Sequence, residues 1–153
     1  MLPVLLALLL QATTTTTTVS GTLMPPPGMA APASAEVVLL PAPYAQMFNA
    51  EAQERIDDYW EEYKREFAAN KELFFKVHPV AYREALDVVM SRMTNRSSLV
   101  RNAVSGQFEF RGVAPGEYKI VAVGSIRNTE YVWTESLQVK AMPMVLQLKN
   151  RVP

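Results

Sequence analysis

Gly106-Gln107-Phe108-Glu109-Phe110-Arg111-Gly112-Val113-Ala114-Pro115-Gly116-Glu117-Tyr118 is the stretch whose reading decides the fold. Its first five residues alternate apolar and polar, the period of a half-buried β-strand. Gly112 to Gly116 is a turn cluster. Tyr118, Ile120 and Ala122 then share one face of a second strand, closed by Gly124-Ser125. The Pro-Gly turn predicts a direct reversal between two antiparallel strands, with Phe108, Phe110, Tyr118 and Ile120 as the inward face. Each such side chain, fully buried, contributes about 1.5–3 kcal/mol.

Working outward, the same periodicity recurs. Tyr131-Val132-Trp133 and Leu137-Gln138-Val139 read as strands interrupted by the polar Thr134-Glu135-Ser136, and Met144, Leu146 and Leu148 alternate with Val145, Gln147 and Lys149 in a last strand. Upstream, Val19-Ser20-Gly21-Thr22-Leu23 predicts a strand that begins inside the threonine tract Thr13 to Thr18 and is stopped by Pro25-Pro26-Pro27-Gly28. Glu36-Val37-Val38-Leu39-Leu40 predicts another, ended by Pro41 and Pro43.

These segments, in this order, resemble the carboxypeptidase regulatory-like domain, a transthyretin-like β-sandwich that also groups with carbohydrate-binding-like folds. The family's signature is a G-x-F-x-F strand, a turn ending in Pro-Gly and an aromatic opening the next strand. Gly106, Phe108, Phe110, Pro115, Gly116 and Tyr118 complete it. The resemblance covers 13–43 and 105–153 and leaves the middle, about 44–104, as an insertion. It implies an α+β fold: an antiparallel Greek-key-type β-sandwich, one domain over 13–153, with an inserted two-helix hairpin. It also implies a non-catalytic accessory role, since such domains carry no chemistry of their own.

The insertion has helical periodicity. Ala52, Ile56, Tyr59, Trp60, Tyr63 and Phe67 recur every three or four residues as one apolar stripe, with Asp57, Asp58, Glu61 and Glu62 on other faces. Asn49 fits an N-cap with Glu51 and Glu54 in the first turn, and Asn70 fits the helix end. His78-Pro79 restricts the chain ahead of a second helix striped by Val80, Leu86, Val89, Met90 and Met93, with Tyr82 on its flank. The stripes predict a hairpin buried against itself and the sandwich, with the acidic face left in solvent as a contact surface. An isolated helix of this kind is marginal without such contacts.

Charge and composition narrow the function. The 153 residues carry fifteen basic and fifteen acidic side chains, with a pI of about 6.6, which argues against a dedicated nucleic-acid binder. The balance is uneven along the chain: nine acidic and four basic residues from Glu36 to Glu72, six acidic and eleven basic from Leu73 to Pro153. There is no cysteine and one histidine. That excludes disulfides, thiolate zinc sites, thiol nucleophiles and paired-histidine metal sites. Leu2 to Leu10 is an unbroken apolar run, too short for a membrane span of roughly 20 residues. Followed by Gln11-Ala12, it reads as the h-region of a signal peptide over 1–12, although no Lys or Arg precedes it. A mature chain starting near Thr13, secreted or periplasmic and without a membrane span, is the expectation.

No catalytic constellation stands out. His78 could be oriented by Asp57, Asp58 or Asp87, yet neither G-x-S-x-G nor S-x-x-K is present. Asp57, Asp58, Glu61 and Glu62 have a calcium-loving chemistry but splay around a helix. Arg92, Arg96 and Arg101 form a loose basic stretch. The chain therefore reads as a non-enzymatic module with neither cofactor nor metal, whose partner is a protein or a carbohydrate. Tyr59, Trp60, Tyr131 and Trp133 are the candidate contact residues. A sugar platform would need at least two of these, or Tyr44, exposed and coplanar.

Overall fold

The computed structural model describes residues 15–150; the signal-peptide reading lies outside them. Among the described residues there are seven strands: β1 (Thr17–Met24), β2 (Ser34–Pro41), β3 (Val100–Val104), β4 (Gln107–Val113), β5 (Gly116–Ile126), β6 (Thr129–Val139) and β7 (Met144–Lys149). Helices α1 (Ala42–Ala69), α2 (Lys71–Arg92) and the short α3 (Arg96–Leu99) all fall between β2 and β3. The fold is α+β.

The strands make one mixed sheet in the order β6-β5-β2-β3-β4-β1-β7. All pairings are antiparallel except the last, where β7 runs parallel to β1 with Val19 beside Met144 and Leu23 beside Leu148. The expectation of a purely antiparallel arrangement is corrected at this pair. Residues 140–143 carry the chain from β6 at one end of the strand order to β7 at the other, so β7 enters beside β1 in β1's own direction. The two ends of the order meet at an isolated bridge between Trp133 and Asn150.

A second correction concerns the decisive stretch. Both of its strands form, but β4 and β5 do not pair, because β3 and β2 lie between them. Ala114-Pro115 is a link between non-neighbours, held by the Tyr118 hydroxyl donating to the Ala114 carbonyl at 2.8 Å. A Pro-Gly turn specifies that the chain reverses; it does not specify which strand it then pairs with. The reversal β5 does make is with β6, through a two-residue turn in which Arg127 (φ 50°) and Asn128 (φ 62°) are both left-handed.

Burial explains the run Val37-Val38-Leu39-Leu40. All four side chains are fully buried, as are Ile120, Val121 and Ala122 on neighbouring β5. Strands covered on both faces lose the alternating pattern. The helices supply one cover, packing on β2, β5 and β6. Phe108, Phe110, Ile120, Trp133 and Leu148 are buried in the same core, with Tyr118 half-buried at its margin.

The insertion differs from expectation at three points. Helix α1 starts at Ala42, not near Asn49, because Pro43 in its first turn forfeits only an N–H that no helix uses there; the prolines that end β2 also open α1. Helix α2 starts at Lys71 and runs through Pro79. Asn70 ends α1 and caps α2, its side chain accepting from the Glu72 N–H at 3.0 Å. Residues 100–104 are strand and not insertion: β3 lies along β2 from Val38–Val100 to Ser34–Val104. Arg101-Asn102 obscures its apolar pattern.

Gly21, at the centre of β1, is required sterically. A Cβ there would stand 2.7 Å from both the Leu146 carbonyl oxygen and the Phe108 ring. Gly21→Ala should cost about 1–3 kcal/mol through overpacking, and Phe110→Ala about 3–5 kcal/mol through the cavity it leaves. Reversible urea denaturation measures both. Losses below about 0.5 kcal/mol, typical of surface sites, would contradict this packing.

Candidate functional site

The hairpin of α1 and α2 is organised in two halves. Its root belongs to the main core: Phe48 and Ala52 from α1, and Ala85, Leu86, Val89 and Met90 from α2, are buried together with the sheet residues. Phe48 stacks on Tyr82 at 5.8 Å between ring centres. Lys119 of β5 lies over the Phe48 ring, 5.4 Å from its centre, and donates to Asn49 Oδ1 at 2.6 Å. Arg83 of α2 pairs with Glu130 of β6 at 2.6 Å.

A polar clamp follows. Glu84 accepts a hydrogen bond from the Tyr59 hydroxyl at 3.2 Å and pairs with Arg55 at 3.6 Å, while Arg55 also pairs with Glu51 at 2.6 Å. Burial raises the Tyr59 phenol above its ordinary value, and the Glu84 charge and hydrogen bond add to this.

Beyond the clamp, aromatic rings pack on one another instead of on the sheet. Trp60 stacks on Phe67 at 5.9 Å and meets Phe74 edge-on at 5.2 Å. Phe67 and Phe74 are themselves edge-on at 5.2 Å, and Tyr63 reaches both Tyr59 and Phe67. Phe67 is buried yet stands outside the main core cluster. Helix α1 leaves helical geometry at Tyr63 (φ −117°, ψ 20°), and Pro79 removes one backbone bond from α2. Both interruptions fall within this outer half.

This small cap covers its centre and leaves its margin bare. Trp60 is 43% exposed, Tyr63 40% and Leu73 39%. The expectation that the whole stripe is buried by α2 and the sheet holds for Phe67 and is corrected for Trp60 and Tyr63. Helical spacing places residues on one face, but it does not say how far the covering surface extends.

The four candidate contact residues do not converge. Tyr59 and Trp60 belong to the outer hairpin. Tyr131 is half-buried on β6 and borders a cleft of about 530 Å³ between α2 and the β5–β6 turn, where the hairpin parts from the sheet. Trp133 is fully buried, its indole N–H donating to the Met24 carbonyl at 2.8 Å, so it has no face to offer a ligand. Among Tyr44, Tyr59, Trp60, Tyr131 and Trp133, Trp60 alone is exposed. The coplanar exposed pair that a sugar platform needs is not formed by these five.

The remaining candidates are placed as follows. His78 Nδ1 donates to the Phe74 carbonyl at 3.0 Å, and its ring stands edge-on to Phe74 at 4.5 Å. It is part of the aromatic cap. Asp57, Asp58, Glu61 and Glu62 are exposed on α1, and no group of three or more metal-ligating side chains converges among the described residues. Arg101 donates to the Ser97 and Val100 carbonyls and lies over the Phe110 ring, while Arg92 reaches Met47. The arginines do not form one anion site. No helix among the described residues is long and apolar enough to cross a membrane.

Neither a family model, nor a curated protein, nor a solved structure matches the chain.

The clamp makes a pH prediction. A phenol whose pKa rises on folding stabilises the fold below its unfolded value, near 10.0, and that contribution is lost as pH climbs through the raised value. Tyr59→Phe should cost about 1 kcal/mol near neutrality, the worth of one hydrogen bond. The difference from the parent chain should vanish in strongly alkaline solution. A difference independent of pH in urea melts would contradict the Tyr59–Glu84 bond.

Proposed function

We propose that the chain is an exported, non-catalytic β-sandwich module that works by protein contact, and that the outer half of its hairpin is the contact surface. The observation that carries this is the exposure of the large apolar side chains Trp60, Tyr63 and Leu73 on a hairpin that projects beyond the core it is rooted in. Exposed large apolar side chains gathered on one element mark interaction sites, and Trp and Tyr dominate the energetics of such surfaces.

The two-layer reading has its own support. Strands β3 and β4 share a single register pair, Val104–Gln107, and the two ends of the strand order are bridged at Trp133–Asn150, just past β7. We read these two seams as layer boundaries between β6-β5-β2-β3 and β4-β1-β7, which supports a Greek-key sandwich resembling the carboxypeptidase regulatory-like domain. Export rests on the apolar run Leu2 to Leu10 and Ala12. The non-catalytic reading rests on the resemblance and on a histidine already engaged in packing.

Photo-cross-linking in cells tests the surface. A benzoylphenylalanine at Leu73 should give discrete adducts, whereas the same group at Val145, which is 81% exposed on β7, should give none. Equal labelling at both positions, or none at Leu73, would overturn the assignment.

A further inference from the structure

We propose that the cleft between α1 and the C-terminal half of β6 binds a small neutral polyhydroxy compound, of the class of a mono- or disaccharide. It lies apart from the outer hairpin, and its chemistry is independent of the contact read there.

The cleft has a volume of about 450 Å³, with α1 as its wall and the paired strands β5 and β6 as its floor. That size is ordinary for a small-molecule site. On the floor, Lys119 stands opposite Ser136 and Glu117 opposite Gln138. Side chains two apart on a strand share a face. Lys119 reaches Asn49 of α1, so this is the face turned toward the helix. On the wall, Ala42, Ala45, Gln46 and Asn49 line the cleft, and their spacing by threes and fours puts them on one side of α1. The two alanines leave the room that the polar side chains surround. Three elements thus bring six polar side chains to one space.

Their chemistry selects the ligand class. The one carboxylate, Glu117, and the one ammonium, Lys119, cancel, so the cleft favours a neutral ligand over an anion or a cation. Gln46, Ser136 and Gln138 make no side-chain hydrogen bond among the described residues. Each of them can donate and accept at once, which is the character of every hydroxyl on a polyol. Asn49 Oδ1 already accepts from Lys119 at 2.6 Å, which leaves the Asn49 amide N–H groups to donate. Lys119 also lies over the Phe48 ring, and Phe48 is fully buried in the main core. The Lys119–Asn49 pair is therefore in position before a ligand arrives, which lowers the ordering cost of binding. The apolar lining is confined to the two alanine methyls, the half-buried Tyr118 and the buried Leu137. It suits the C–H face of a sugar ring and offers no pocket for the side chains of a peptide.

The experiment is a titration of the purified protein followed by two-dimensional amide NMR, with maltose, cellobiose and N,N′-diacetylchitobiose as neutral probes and trialanine as the peptide control. At least one sugar should shift the side-chain amide signals of Gln46, Asn49 and Gln138 saturably, with a Kd in about the millimolar range expected of so small a ligand. Ser136→Ala and Gln138→Ala should each weaken that binding about five- to tenfold, the worth of one hydrogen bond. Both residues are exposed, so the thermal midpoint should not move. Trp60→Ala should leave the sugar affinity unchanged, which separates this site from the outer hairpin. Absence of a saturable shift at the cleft with all three sugars, up to about 50 mM and so well above that range, overturns the proposal. Sugar binding that neither variant weakens overturns the site, and shifts produced by trialanine but by no sugar overturn the ligand class.

Discussion

The ladder between β2 and β3 is the constraint on which the rest of the molecule depends. Val38 pairs with Val100 and Ser34 with Val104, although the entire helical insertion lies between them in sequence. Closing so long an excursion carries an entropy cost that grows only slowly with length, but the excursion must leave and return at adjacent, oppositely directed strands. Two antiparallel helices do this with one sharp turn, and Asn70 serves both helices there. The insertion also returns something to the sheet. Strands β2 and β5 are apolar on both faces, and without Phe48, Leu86, Val89 and Met90 one face would be open to water.

That requirement governs only the root of the hairpin. A helix rises about 1.5 Å per residue, so α1, with 28 residues, extends well past the strands it covers. The outer half must either find its own core or fray. It does the former: the Arg55–Glu84–Tyr59 clamp closes off the root, and Trp60, Phe67, Phe74 and His78 pack as a cap. Two helices cannot enclose rings as large as these on all sides. The bare edges of Trp60 and Tyr63 are the geometric consequence of extending a two-helix structure beyond its support, and they are the surface proposed here for protein contact.

The strands were legible in the sequence because alternation and turn residues report local geometry directly. Phe108, Phe110 and the Pro115-Gly116 reversal are all where the pattern puts them. Pairing was not legible from the same residues: β4 and β5 flank a tight turn and still belong to non-adjacent places, since register is decided by burial across the whole sheet. Strand β3 was hidden because two consecutive polar residues, Arg101 and Asn102, break the apolar alternation of an element only five residues long. Pro41 was rightly read as the end of β2, but Pro43 also opens α1, since proline is tolerated in the first turn of a helix. His78-Pro79 was read as the approach to a second helix, yet α2 starts at Lys71 and runs through Pro79 with the loss of one bond. For the candidate surface, the stripe of Ile56, Tyr59, Trp60, Tyr63 and Phe67 was readable. Its division into a covered and a bare part was not, because that depends on where the sheet ends.

The central claim is that one hairpin has two cores of different stability, and native-state hydrogen exchange with the protein dilute measures this directly. Amides of 48–56 and 82–92 should exchange only through global unfolding, with the same free energy and denaturant dependence as β2 and β5. Amides of 60–78 should open separately, at a lower free energy and with a smaller denaturant dependence. A single shared opening free energy along the whole hairpin would contradict the account, because it would mean that the outer rings are bound into the same core as Phe48 and Leu86.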